Sequence, residues 1–165
     1  MKIIEELLKE LAYEAEITRK FLKIVPVEKF DWAPHEKSMK MKALATHLAE
    51  LPSWIGLALN TEGLDFATTP YEPVEIKDHA DLLVYLNENV ATAKADLEKI
   101  TEADLDGRWV MRSGETIHAD LSKYETIRHS FSQTSHHRAQ LGVYLRLLNI
   151  PIPGTYGPSA DDHSF

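Results

Sequence analysis

The sequence predicts an all-α protein: an antiparallel four-helix bundle with long crossover loops, a short hairpin before the last helix and an extended C-terminal tail. Three observations carry this prediction. Four stretches repeat apolar residues at alternating spacings of three and four, as a helix with one buried stripe requires. Helices of this kind can bury their stripes only against one another. The chain, at 165 residues and 18.7 kDa, has the length of one domain with one core, so residues 1–165 are expected to form a single unit.

The first helix places Ile4, Leu8, Leu11, Ala15, Thr18, Leu22 and Val25 in register and stops at Pro26. The second is expected to start after Ser38, a good N-cap, with Leu44, Leu48, Leu51, Ile55 and Ala58 on one face. Pro52 lies inside it and predicts a kink or a break, because proline has no amide hydrogen for the helical ladder. The third opens near Asp78 and runs through Leu83, Leu86, Val90, Ala93, Leu97 and Ile100. The fourth runs through Tyr124, Ile127, Phe131, Thr134, Arg138, Leu141, Leu145 and Leu148, ending before Pro151.

The segments between them differ in kind. Residues 26–37 and 60–77 hold Pro26, Trp32, Pro34, Gly63, Pro70 and Pro73, and read as long loops. Arg108 to Ile117 reads as a hairpin turning at Ser113-Gly114. Residues 151–160 are too rich in proline and glycine for a helix, but Ile152 and Tyr156 are placed to pack back over the helices.

Composition narrows the function. Hydrophobic residues at 44% and charged residues at 27% are ordinary globular values. A net charge of -8 with no basic stripe speaks against nucleic-acid binding, which draws on clustered Lys and Arg. With no cysteine, the chain has no disulfide, thiolate metal site or thiol nucleophile of its own. The first ten residues carry too many charges for a signal segment, and no apolar run approaches the roughly 20 residues that span a bilayer. A cytoplasmic protein without a membrane partner is the expectation.

Histidine carries the chemical information. Of the 8 in the chain, His47 lies within the apolar stripe of the second helix, and His129, His136 and His137 lie on the fourth. At about 100° per residue, His137 falls at the edge of the core stripe and Gln133, one turn earlier, about 40° further round. His129 and His136 lie further out. Gln133 and His137 are therefore the pair best placed to face His47. Imidazoles presented to one point by two helices can hold a first-row divalent metal, and three protein ligands leave a position open for water or substrate. The same spacing also serves hydrogen-bonded histidines at a core boundary, and the amide of Gln133 is a weaker donor than imidazole.

Other residues have simpler readings. Arg138 interrupts the core stripe and calls for a buried partner such as Glu14 or Glu50. Trp32, Trp54 and Trp109 read as packing residues or pocket walls. His35, His79, His118 and His163 fall in loops or at helix ends.

Two segments carry a family resemblance. Asp31-Trp-Ala-Pro-His-Glu-Lys-Ser-Met39, followed by Leu44-Ala-Thr-His47-Leu-Ala-Glu50, resembles the second-helix signature of the DinB/YfiT-like superfamily. Ser135-His-His137-Arg138-Ala-Gln140-Leu-Gly-Val-Tyr-Leu-Arg146 resembles its fourth-helix signature. The resemblance implies a four-helix bundle, often a homodimer, with a divalent ion (Ni, Zn, Mn or Fe) held by three histidines. Carried over by position, the metal ligands are His47, Gln133 and His137, with glutamine standing where the family usually has histidine. Gln140 and Tyr144 are candidate polar groups near the ion.

The superfamily includes metal-dependent transferases of low-molecular-weight thiols such as bacillithiol or mycothiol, and related isomerases. By this resemblance the partner is a small-molecule substrate, and the reaction a thiol S-transfer or, with a metal-bound water, a hydrolysis. The absence of cysteine fits a nucleophile that arrives with the cosubstrate. The alternative is a non-catalytic, stress-related binding or dimerisation bundle whose metal site is lost or weakened.

Overall fold

The computed structural model describes residues 2–163, which form five α-helices and a three-stranded mixed sheet. This overturns the expectation of an all-α four-helix bundle, and two local causes account for the difference. Pro52 cannot donate to the Leu48 carbonyl, so the second helical stretch divides into α2 (Met41–Glu50) and α3 (Ser53–Asn60). Within the segment expected to be a long loop, β1 (Gly63–Asp65) pairs in parallel with β2 (Arg108–Ser113). Strand β2 pairs antiparallel with β3 (Thr116–Ser122) across the turn at Gly114-Glu115, where Gly114 has φ +56°. The close approach of β1 requires glycine: a Cβ on Gly63 would stand 2.2 Å from the Val110 carbonyl oxygen.

Helix α1 (Ile3–Leu22) packs on α4 (His79–Lys99) and on α5 (Lys123–Leu147), while α2 and α3 pack in series between α4 and α5. Ser38 does not cap α2, which begins at Met41 with Lys40 at the N-cap and no side-chain bond there. Asp78 does cap α4, accepting from the amides of Ala80 and Asp81. Helix α5 opens with a reciprocal capping box between Ser122 and Glu125. Its long axis is thus anchored directly at the end of the hairpin.

Two apolar clusters fill the interior. One gathers Ile17, Phe21 and Leu22 with Leu44, Leu48, Leu82, Leu86, Leu141 and Leu145. The other gathers Leu7 and Leu11 with Ile55, Ala58, Ala93, Leu97, Ile127 and Phe131. Of the buried polar residues, Glu14, Thr18, Thr126, Ser130, Thr134 and Arg138 come from α1 and α5, and Thr46 from α2. At the α2–α3 break, the Ser130 hydroxyl donates at 2.7 Å to the Leu51 carbonyl, which also accepts from the Trp54 amide at 3.2 Å, tying α5 to the break.

Of Glu14 and Glu50, it is Glu14 that meets Arg138, at 2.7 Å, with both side chains almost wholly buried. Arg138 also donates to the Thr18 hydroxyl at 3.1 Å, the Glu14 carbonyl at 3.3 Å and the Tyr156 hydroxyl at 2.7 Å. Tyr156 in turn donates to Glu14 Oε1 at 2.7 Å. The tail therefore folds back over α1 and α5, and Arg146–Asp161 pins its far end.

Burial pushes the Tyr156 phenol above its ordinary range, reinforced by Glu14 against the opposing pull of Ser135 and Arg138. The folded value thus exceeds the ordinary 10.0. The contribution of this group is complete below that pH and is lost as pH rises through the folded value. Urea denaturation between about pH 9 and about pH 11 should show a smaller loss of stability for Tyr156→Phe than for the parent chain. A difference between the two that does not vary with pH would defeat this account.

Candidate metal centre

His47 and Gln133 border one cavity of about 240 Å³, and the ring of His137 stands against that of His47. His47 sits on α2 three residues before the helix ends, so its ring projects beside the break at Pro52. His137 and Gln133 lie one turn apart on α5. The two imidazole centroids are 4.8 Å apart, with ring planes at 81°. Two imidazoles that bind one ion at about 2.1 Å, at roughly 100° to each other, have centroids about 5 Å apart. The separation matches that arrangement.

The outer nitrogens are already committed. His47 Nδ1 is 3.2 Å from Glu50 Oε2, and His137 Nδ1 is 3.0 Å from Gln140 Oε1. If each Nδ1 carries the proton, the acceptors fix the tautomer and leave Nε2 as the lone-pair nitrogen. Neither Nε2 has a hydrogen-bond partner among the described residues. Burial, together with the neighbouring His47 and His136, holds the His137 pKa below its usual 6.5, against the opposing effect of Gln140. This favours the neutral ring that ligation requires.

The outlying histidines orient the glutamines. The Gln133 amide nitrogen is 3.2 Å from His129 Nε2, and the Gln140 amide nitrogen is 3.0 Å from His136 Nε2. Each pair has i, i+4 spacing, so each histidine can take an amide hydrogen from one turn later. With its nitrogen engaged, each amide presents its oxygen elsewhere: that of Gln140 goes to His137. Trp54, Leu51, Met111, Ser130 and His129 itself complete the cavity wall. Met111 reaches it from β2 beside an irregularity in the strand register between Met111 and Arg112.

Sequence reasoning brought His47, Gln133 and His137 to the same region but missed Glu50 as the partner of His47. Their i, i+3 spacing was the available signal. Met111 had none, because its position depends on how the hairpin docks. Tyr144 lies away from the cavity and donates to the Met39 carbonyl at 3.1 Å. Among the described residues no group of three or more His, Cys, Asp or Glu side chains is arranged to hold an ion. The donors expected from the sequence are two imidazoles and an amide; His129, whose Nε2 faces the Gln133 amide nitrogen, also borders the cavity.

The model of the DinB family matches residues 1–164. The chain belongs to the DinB family. Solved structures share the fold of this DinB-family chain. A DinB-like protein from Bacillus cereus superposes with a TM-score of 0.70 at 20% identity, covering 92% of this chain and 97% of its own. YfiT from Bacillus subtilis, described as a probable metal-dependent hydrolase with an unusual four-helix bundle topology, gives 0.67 at 16% identity, covering 90% and 89%. The mycothiol-dependent maleylpyruvate isomerase gives 0.61 at 15% identity, covering 84% of this chain and 60% of its own. At these identities the likeness is one of fold. No curated protein matches the DinB-family chain. No helix among its described residues is long and apolar enough to cross a membrane.

Proposed function

We propose that this DinB-family protein holds a divalent ion (Zn, Ni, Mn or Fe) through His47, His137 and Gln133, and uses it to join a small thiol to an electrophilic small molecule. The observation that carries the reading is the pair of imidazoles at 4.8 Å, each with its Nδ1 tied to an acceptor. The donor set fits a weak three-ligand site: two neutral nitrogens and an amide whose nitrogen is turned to His129. Bound there, a divalent ion lowers the pKa of a thiol or water and polarises a carbonyl.

The rest belongs to the chain. Glu50 and Gln140 hold the two rings in orientation and tautomer, and Trp54, Leu51 and Met111 shield one side from bulk water. With no cysteine in the sequence, the thiol comes from a cosubstrate. Among the described residues, His47 alone borders both this cavity and a second of about 360 Å³. Room on both sides of one ligand favours two organic substrates, and so transfer over hydrolysis. The likeness to YfiT supports hydrolysis as the second reading, with water in place of the thiol.

Gln133→His tests the ligand set directly. The variant should bind Zn²⁺ more tightly in calorimetric titration, by more than the roughly tenfold that an outer-shell change produces. Unchanged affinity would mean that position 133 does not face the ion.

A further inference from the structure

The second cavity beside His47 is a groove over the outer face of α2. Its walls are Phe30 and Met39 on one side and Tyr71, Pro73 and Val74, from the segment before α4, on the other. Met39, Tyr71 and Val74 are all exposed, so apolar surface converges here without a covering element. At about 360 Å³ it lies at the small end of the range for ligand pockets, about 300–1,000 Å³. Ala43 offers the floor little side-chain bulk.

The polar groups of the groove divide into engaged and free. Lys40 is paired with Asp31 at 2.9 Å, and Lys42 sits over the Phe30 ring at 5.9 Å from its centroid. The Tyr71 hydroxyl makes no hydrogen bond to another described residue, and neither does the buried Thr46 hydroxyl, which also lines the groove. Burial and the charge of Glu50 raise the Tyr71 pKa above its ordinary value, so the phenol stays protonated and can donate. Glu50 also bonds His47. Its negative charge disfavours an anionic ligand group at this end and leaves a neutral acceptor oxygen as the complement to the phenol.

We propose that this groove is the binding site for the electrophilic substrate, a neutral carbonyl compound with an apolar, aryl-sized body. The body rests on Phe30, Met39, Pro73 and Val74. The carbonyl oxygen accepts from the Tyr71 hydroxyl, which brings the molecule to the His47 side of the groove. The assignment of the molecule as a substrate rests on the metal-centre reading, whereas its seat in the groove does not require the ion.

Acetophenone is a suitable probe, titrated into the full chain and followed by amide chemical shifts, with and without Zn²⁺. Saturable shifts are expected at Ala43, Thr46, His47, Tyr71 and Val74. Ala43→Trp fills the groove from an exposed helical position and should abolish them. Tyr71→Phe should weaken binding about fivefold, the effect of one neutral hydrogen bond. Both variants should keep the parent affinity for Zn²⁺. Absence of saturation, shifts centred instead on the groove of about 560 Å³ that Gly142 and Val143 of α5 form with Ile152 and Pro153 of the tail, or binding indifferent to Ala43→Trp would overturn the proposal. Acetophenone binding in a chain that takes up no Zn²⁺ would uphold the groove while removing the metal centre.

Discussion

Replacing His47 with alanine should abolish divalent-ion binding and leave the helical signal intact. The argument rests on what the ring does in the fold. It is 28% exposed and its one hydrogen-bond partner among the described residues is Glu50, itself partly exposed. Removing it opens no sealed cavity and strands no deeply buried charge, so the expected cost in stability is about 1 kcal/mol or less. The effect on an ion is of another order. With one imidazole gone, the remaining donors are His137 and an amide, both on α5, and nothing from α2 closes the coordination sphere. Metal content of tag-free protein, together with titration of Zn²⁺ into the metal-free chain, measures this. Glu50→Gln supplies the graded control, since a lost outer-shell carboxylate weakens affinity by about 10- to 100-fold without removing a ligand. If His47→Ala retains a stoichiometric ion at parental affinity, the centre lies elsewhere.

How far the fold was readable depended on the range of the interactions that specify each part. The break at Pro52 is local: a missing amide hydrogen announces itself in the sequence. The capping of α4 by Asp78 is equally local. Strand β1 is not. Gly63-Leu64-Asp65 is too short for any alternation to register, and its partner Val110 lies far along the chain. What marks it is Gly63, whose absent side chain admits the Val110 carbonyl, and that need appears only once both strands are placed.

The site divides the same way. His47 was legible because an imidazole stood in an apolar stripe, and Gln133 and His137 because helix geometry fixes their azimuth. Glu50, one of the two carboxylates the sequence offers to Arg138, lies instead one turn from His47 and bonds it. The roles of His129 and His136 depend on rotamers that turn two amides, and no periodicity encodes a rotamer.

Arg138→Ala should cost about 3–5 kcal/mol of folding stability, because it leaves a buried carboxylate without its counter-ion. Arg138 is 2% exposed and Glu14 7%. The 2.7 Å contact to Glu14 Oε2 is ionic and lacks hydrogen-bond alignment, so once the guanidinium is gone no bond holds that oxygen. Glu14→Gln combined with Arg138→Met removes both charges, and should recover much of the loss. A double-mutant cycle in urea separates the pair from the packing of the arginine stem. The tail supplies an independent readout. Tyr156 donates to Glu14 and accepts from Arg138, so losing the arginine removes one of the tethers across α1 and α5. Proteinase K should then cut within residues 151–163 faster than in the parent chain, before the helices open. A loss below about 1 kcal/mol, the level of a surface pair, would show that water reaches Glu14 and that the polar contacts linking α1, α5 and the tail are not sealed. The size of the effect therefore measures whether one buried pair fixes α5 against α1, and with it the direction in which His137 and Gln133 face α2.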